Sequence, residues 1–267
     1  MTPLKNRVVV ITGASRGIGA ELARQLADQG TRLVLAARSQ PELETVAIDC
    51  RRRGAAVITV RADVGSQRDC QALVSGAVLG FGRVDVLVNN AGASMWARFD
   101  ALEDLGVLER LMAVNYLGAA YCTSYALPYL RQSQGVIVAI SSLAGLTGVP
   151  TRTGYCAAKH AMTGFFDALR IELADSGVAV CTVHPGFVAT GIRENAAGPD
   201  GQPIHVSPVR EREVMPVDEC ARRIVRAIVR RERRVVMTAR GKIGLWLRLI
   251  APGLVDRIAR RAIEQGH

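Results

Sequence analysis

The chain has 267 residues, 49% of them apolar and only 4% aromatic, and carries a net charge of +10. That apolar content excludes a disordered or low-complexity protein, and the length suits a single α/β domain. The charge suggests nucleic acid as a partner, but the few aromatics and the lack of any helix-turn-helix, zinc or single-strand-binding motif argue against one.

Lys5, Asn6 and Arg7 run directly into Val8-Val9-Val10-Ile11, an apolar stretch too short for a secretory leader, so a cytoplasmic protein is expected. The first strand spans 7–12 and leads through Thr12-Gly13-Ala14-Ser15-Arg16-Gly17-Ile18-Gly19 into a helix over 17–29. Glycines at 13, 17 and 19 let backbone turn tightly against a diphosphate, and the helix behind them offers unpaired N–H groups and its positive dipole end. A second strand over 32–37 ends at Arg38, where an acid would hold the ribose 2′-hydroxyl of NAD. No acid stands there, and Arg16 and Arg38 offer guanidinium groups to a 2′-phosphate, which points to NADP(H). After a helix over 40–53, a third strand over 56–62 closes on Asp63-Val64, placed to meet an adenine amino group.

Beyond a helix over 67–80, a fourth strand over 84–88 closes on Asn89-Asn90-Ala91-Gly92, where Gly92 leaves room for a ribose against backbone. One long helix is expected over 101–131, then a strand over 135–141 that ends on the adjacent pair Ser141-Ser142. In the helix over 152–175, Tyr155 and Lys159 stand one turn apart on one face. A free phenol titrates near 10, and a neighbouring ammonium lowers that value toward the range where proton transfer works at neutral pH. Residues 190–215, with three prolines and three glycines, read as a mobile loop over a site, between a strand over 178–183 and a helix over 216–231. The last strand spans 234–238. Seven strands alternating with helices predict a doubly wound parallel sheet, Rossmann-like, in one domain over 1–240 with a helical tail over 241–267.

The six cysteines form no C-x-x-C pair and cluster with no histidine, so reduced core thiols and no metal are expected. Charge is uneven: residues 1–209 hold 19 basic and 17 acidic side chains, and residues 210–261 hold 15 and 6.

Thr12-Gly13-x-x-x-Gly17-x-Gly19, Asn89-Asn90-Ala91-Gly92, Asn115, Ser142, Tyr155-x-x-x-Lys159 and Pro185-Gly186 stand in one order and spacing. In these motifs the chain resembles the classical short-chain dehydrogenase/reductase family over residues 5 to about 240. The resemblance implies that Tyr155 is general acid in reduction and base in oxidation. It gives Lys159 the lowering of the phenol's pKa and a bond to the nicotinamide ribose, Ser142 the positioning of substrate, and Asn115 the holding open of the long helix around a proton-relay water. It also implies a cofactor site of Gly13, Ser15, Arg16, Gly17, Ile18, Gly19, Arg38, Asp63, Val64, Asn89, Ala91 and Gly92, completed by Tyr155, Lys159, Pro185, Gly186, Val188 and Thr190. Within that list Asn89 braces the central strands and Ile18 offers its amide to the diphosphate. Of the two serines, family spacing to Tyr155 selects Ser142. Dimers or tetramers built through long helices are a further implication.

Residues 241–263 combine apolar bulk with arginines and break at Pro252-Gly253. They read as an interfacial helix pair with Trp246 at headgroup level, or as a dimer contact or a lid over the substrate. Similar tails occur in the hydroxysteroid-dehydrogenase-like branch, which Gly164-Phe165-Phe166 also resembles, and whose members act on lipophilic carbonyls. The expected function is therefore a carbonyl–alcohol interconversion on a lipophilic substrate. A 3-oxoacyl-carrier-protein reductase and a non-catalytic nucleotide sensor are the alternatives; the tail counts against the first and the four intact catalytic residues against the second.

Overall fold

The computed structural model describes residues 4–207 and 214–264, so part of the expected 190–215 loop lies outside the described residues. Seven strands form one parallel sheet: β1 (Val8–Thr12), β2 (Arg32–Ala37), β3 (Ala56–Arg61), β4 (Val86–Asn89), β5 (Val136–Ile140), β6 (Ala179–His184) and β7 (Arg234–Val236). Their order is β3-β2-β1-β4-β5-β6-β7, every neighbouring pair parallel.

Alternation along the strands divides the core in two. Val9, Ile11, Leu33 and Leu35 face the layer of α1 (Gly17–Ala27), α2 (Gln40–Arg52) and α7 (Val217–Arg230). Val8, Val10, Val34 and Ile137 face α3 (Gln67–Phe81), α5 (Gly118–Ser133) and α6 (Thr153–Glu172). Covering both faces is what allows β1, β4 and β5 to be apolar at nearly every position. Winding runs outward from β1 toward β3 and, on the other side, from β4 toward β7. The chain reverses between β1 and β4, and the loops after these two strands flank the crevice so formed.

The expected helix over 101–131 is not one regular helix. A single 3₁₀ turn occupies Phe99–Ala101, and α4 (Gly106–Met112) begins only where the Asp104 carboxylate accepts the Gly106 N–H at 2.8 Å. A π-helical turn over Ala113–Leu117 then joins α4 to α5. Periodicity cannot reveal such a turn, because it adds one residue without altering the polar–apolar alternation on either side. The tail forms α8 (Ala239–Ile250) and α9 (Pro252–Glu264), separated at the Pro252 break, with the Thr238 hydroxyl capping α8 by accepting the Gly241 N–H.

Candidate active site

A cavity of about 940 Å³ opens at the carboxyl edge of the sheet. At one end, the β1–α1 turn is shaped by glycines with no room for a side chain. Gly13 has φ +64° and a Cβ there would lie 2.8 Å from the Ala91 Cα, while a Cβ on Gly19 would lie 2.3 Å from the Gly13 carbonyl. The N-terminus of α1 has no side-chain cap, leaving its first amides available to a ligand. This backbone cradle with an uncapped helix end fits a dinucleotide diphosphate.

Gly13, Ser15, Arg16, Gly17 and Ile18 line the cavity here, followed by Arg38 after β2 and by Asp63 and Val64 after β3. Arg16 and Arg38 are exposed, and neither has an ion pair among the described residues. Ala91 and Gly92 line the wall after β4, and Pro185, Gly186, Val188 and Thr190 the wall after β6.

Asn89 departs from expectation as a cofactor residue. It is 2% exposed, donates to the Thr123 hydroxyl at 3.0 Å and does not line the cavity. Asn90, its neighbour, does line it and donates to the carbonyls of Thr12 and Gly13 at 2.9 and 3.0 Å, tying β4 to the glycine turn. Neighbours on an extended strand point to opposite faces, and the paired asparagines hid which one pointed outward.

The chemical end lies after β4, β5 and β6. Tyr155 and Lys159 both line the cavity from α6, as their spacing predicts. The Lys159 ammonium donates to the Ile140 carbonyl at 2.9 Å and lies 5.8 Å from the Tyr155 ring centre. Buried with no acid beside it, this ammonium is pushed down to about 7. Burial pushes the Tyr155 phenol above its ordinary value, opposed by the charge of Arg152 and a hydrogen bond from Ser142. Two cations thus stand near the phenol ring, the Arg152 guanidinium carbon at 5.7 Å and the Lys159 ammonium at 5.8 Å from its centre.

The serine pair separates cleanly. Ser142 lines the cavity and caps the turn over Leu143–Gly145 by accepting the Ala144 N–H. Ser141 lines the cavity as well, but its hydroxyl is committed to the Thr163 hydroxyl at 3.0 Å and the Lys159 carbonyl at 3.3 Å.

Asn115 sits fully buried in the π turn just behind the cavity wall, donating to the carbonyls of Ala93 and Leu111 at 2.9 and 3.0 Å. His184 is buried too, its Nδ1 3.1 Å from the Ser142 carbonyl, and burial pushes it down to about 4.

Two buried charges escaped the sequence reading, and two segments that it singled out lie at the cavity. Arg152 is buried at the head of α6 among Trp96, Tyr155 and Phe187. Arg193 is buried in the loop after β6, where it donates to the Ser207 hydroxyl and the Val188 carbonyl, both at 2.9 Å. The described part of the expected 190–215 loop lines the cavity with Ile192, Arg193, Asn195 and Pro203. Finally, Ala259 of α9 lines the cavity, and Arg248 of α8 donates to the Leu146 carbonyl, so the tail borders the mouth. Each is a tertiary contact between segments distant in sequence, and none leaves a local signature.

No group of three or more metal-ligating side chains occurs among the described residues, and no helix among them is long and apolar enough to cross a membrane. The six cysteines are free and buried.

Residues 7–199 match the family model for short chain dehydrogenase. The chain is 37% identical over 260 residues to 11-beta-hydroxysteroid dehydrogenase A of Sesamum indicum, spanning 95% of this chain and 74% of that protein. It is 34% identical over 263 residues to a dehydrogenase/reductase SDR family protein 7-like of Dictyostelium discoideum, spanning 96% and 82%. A short chain dehydrogenase/reductase from Burkholderia phymatum, solved in complex with NAD, superimposes with a TM-score of 0.85 at 28% identity, covering 95% of this chain and 96% of that one. An alcohol dehydrogenase from Thermococcus sibiricus, solved with 5-hydroxy-NADP, gives 0.73 at 28% identity over 86% and 94%.

Proposed function

The chain belongs to the classical short-chain dehydrogenase/reductase family, in its hydroxysteroid-dehydrogenase-like branch, and from that premise we propose that it is an NADP(H)-dependent enzyme interconverting a lipophilic ketone and its secondary alcohol. The observation that carries this reading is the meeting of Ser142, Tyr155 and Lys159 in one cavity with the glycine turn after β1. Asn115 buttresses the wall beside them.

A bound nicotinamide cofactor supplies hydride to the carbonyl carbon. Gly13, Ser15, Gly17 and Ile18 would hold its diphosphate, with Gly19 closing the turn beneath them; Asp63 and Val64 would hold its adenine, and Arg16 and Arg38 its 2′-phosphate. Ala91, Gly92, Pro185, Gly186, Val188 and Thr190 would shape the nicotinamide half, and Lys159 would donate to the ribose there. Ser142 holds the substrate oxygen by hydrogen bond. As the C=O electron pair moves onto that oxygen, Tyr155 gives it the phenol proton, and the resulting phenolate is favoured by Arg152 and the Ser142 hydroxyl. In oxidation the same proton returns to Tyr155. Burial of the phenol keeps it protonated before reaction, the state that reduction requires.

Support for a lipophilic substrate comes from Leu143, Val149, Phe187 and Ile192 in the lining. At the mouth, α8 presents Ile243, Trp246, Leu249 and Ile250 outward at 65–82% exposure beside Lys242 and Arg248. We read this face as a peripheral membrane contact from which substrate is taken up. Cosedimentation with anionic vesicles measures it: a Trp246→Ser, Leu249→Ser double variant should bind about tenfold less than the parent, and equal binding would remove the membrane from the account.

NADPH depletion against a panel of lipophilic ketones tests the reaction itself. Tyr155→Phe should lower kcat about 10²- to 10⁴-fold, with cofactor affinity kept. Full turnover by that variant would overturn the assignment.

A further inference from the structure

Arg152 is the least expected charge in the molecule. It precedes α6, is 7% exposed, and its guanidinium carbon lies 4.5 Å from the Trp96 ring centre, 5.3 Å from Phe187 and 5.7 Å from Tyr155. These rings hold the cation by cation–π attraction but accept no conventional hydrogen bond from its edge. Among the described residues the buried Nε and Nη2 atoms have no acceptor, and no acidic side chain pairs with the charge. Native interiors seldom leave a guanidinium edge in that condition, and where they do a ligand commonly completes it.

The surroundings sharpen the point. Arg193, whose charge bears on Arg152, is the second buried guanidinium of this wall, and its Nε and Nη1 are committed to Ser207 and Val188. Among the described residues the only acids lining the cavity, Glu42 and Asp63, follow β2 and β3 on the far side of the crevice. Among the described residues the substrate end therefore carries uncompensated positive charge, with the unpaired Arg152 guanidinium in the cavity lining.

We infer that the Arg152 guanidinium binds a carboxylate carried by the substrate, which makes the preferred substrate a lipophilic oxo- or hydroxy-carboxylate rather than a neutral ketone. Two parallel N–H donors match the two oxygens of a planar carboxylate, and one negative charge balances the one guanidinium left without an acceptor. A phosphate monoester would bring more charge than the one Arg152 guanidinium balances, and Nε and Nη1 of Arg193 are already engaged. The apolar lining then takes the rest of the molecule. The inference rests on the reductase reading only for treating the bound acid as substrate, and binding can be measured without turnover.

Calorimetry on the NADP⁺-loaded protein compares decanoate with decanamide, which share chain and shape and differ in charge. The parent should bind decanoate about 10- to 100-fold more tightly, Arg152→Gln should abolish that preference with decanamide affinity kept, and Arg152→Lys should restore part of it. Equal affinity of the parent for acid and amide overturns the inference, as does an Arg152→Gln variant that weakens both ligands equally. The parent comparison alone decides the matter if the variant fails to fold. Turnover of oxodecanoates and their methyl esters separates the two readings. Arg152-dependent carboxylate binding with no reduction of either series leaves the inference standing and removes the reductase. Reduction of esters and acids alike does the reverse.

Discussion

The two ends of the cavity are built by opposite means. Between β1, β2 and β3 the site is backbone: glycines pressed against Ala91 and against each other, an uncapped helix end, and two arginines lying in solvent. Between β4, β5 and β6 it is buried side chains: Lys159, Arg152, Arg193, His184 and Asn115 are each less than 8% exposed. At the first end little is lost when no ligand is present, because water solvates what a cofactor would touch. At the second, charged or polar groups are held away from water before the ligand arrives, a cost met by the rest of the fold. Affinity and stability should therefore respond separately to substitutions at the two ends.

The strongest way to break this contrast is Lys159→Met. Activity should fall about 10²- to 10³-fold, while the cofactor-free protein becomes more stable. The folded value near 7 lies below the ordinary 10.5, so between these pH values the unfolded chain holds a proton that the native state does not. The parent therefore loses stability as pH falls from 10.5 to 7, and methionine removes that loss. After allowance for the lost bond to Ile140, the gain at pH 7 should be about 2 kcal/mol or more, shrinking as pH rises toward 10. Thermal melts across that range check it, and a variant less stable than the parent at pH 7 would refute the idea of an uncompensated ammonium.

The opposite end sharpens the contrast with a smaller effect. Replacing Arg16 and Arg38 together by alanine should weaken NADPH about 10- to 100-fold and leave NADH nearly untouched, with the melting temperature unchanged. Titration of protein fluorescence with each cofactor measures this, and equal losses for both would withdraw the NADP(H) preference.

How much of this was legible in the sequence follows the same division. Glycine spacing, strand runs and the missing acid after β2 are local signals, and they located the cradle and all seven strands to within about two residues of the observed ends. Tyr155 and Lys159 were legible because one helical turn fixes their relation. Arg152 was not, since a lone arginine at a helix start normally reads as a solvated charge; only the return of Trp96 and Phe187 from two other loops buries it. Asn89 and Asn90 could not be distinguished without knowing which way β4 turns its last residue. The helix pair of the tail was readable from its amphipathic pattern, but its place at the cavity mouth depends on Ala259 entering the lining and on Arg248 reaching Leu146, 102 residues earlier.

The π turn at 113–117 bears on which changes of length the chain can absorb. Val107, Leu111, Asn115 and Ala119 recur every four residues and all are buried. In a regular helix of about 100° per residue such a series drifts roughly 40° at each step, and the wider turn winds the rod back. Losing a single residue there would restore ordinary helical bonding while swinging α4 about a quarter turn relative to α5. Chain-length variation across these five positions would then be met by loss of function in a well-folded protein, whereas the same change beside Gly54 or Gly82, turns whose glycines have open space around them, would pass nearly unnoticed.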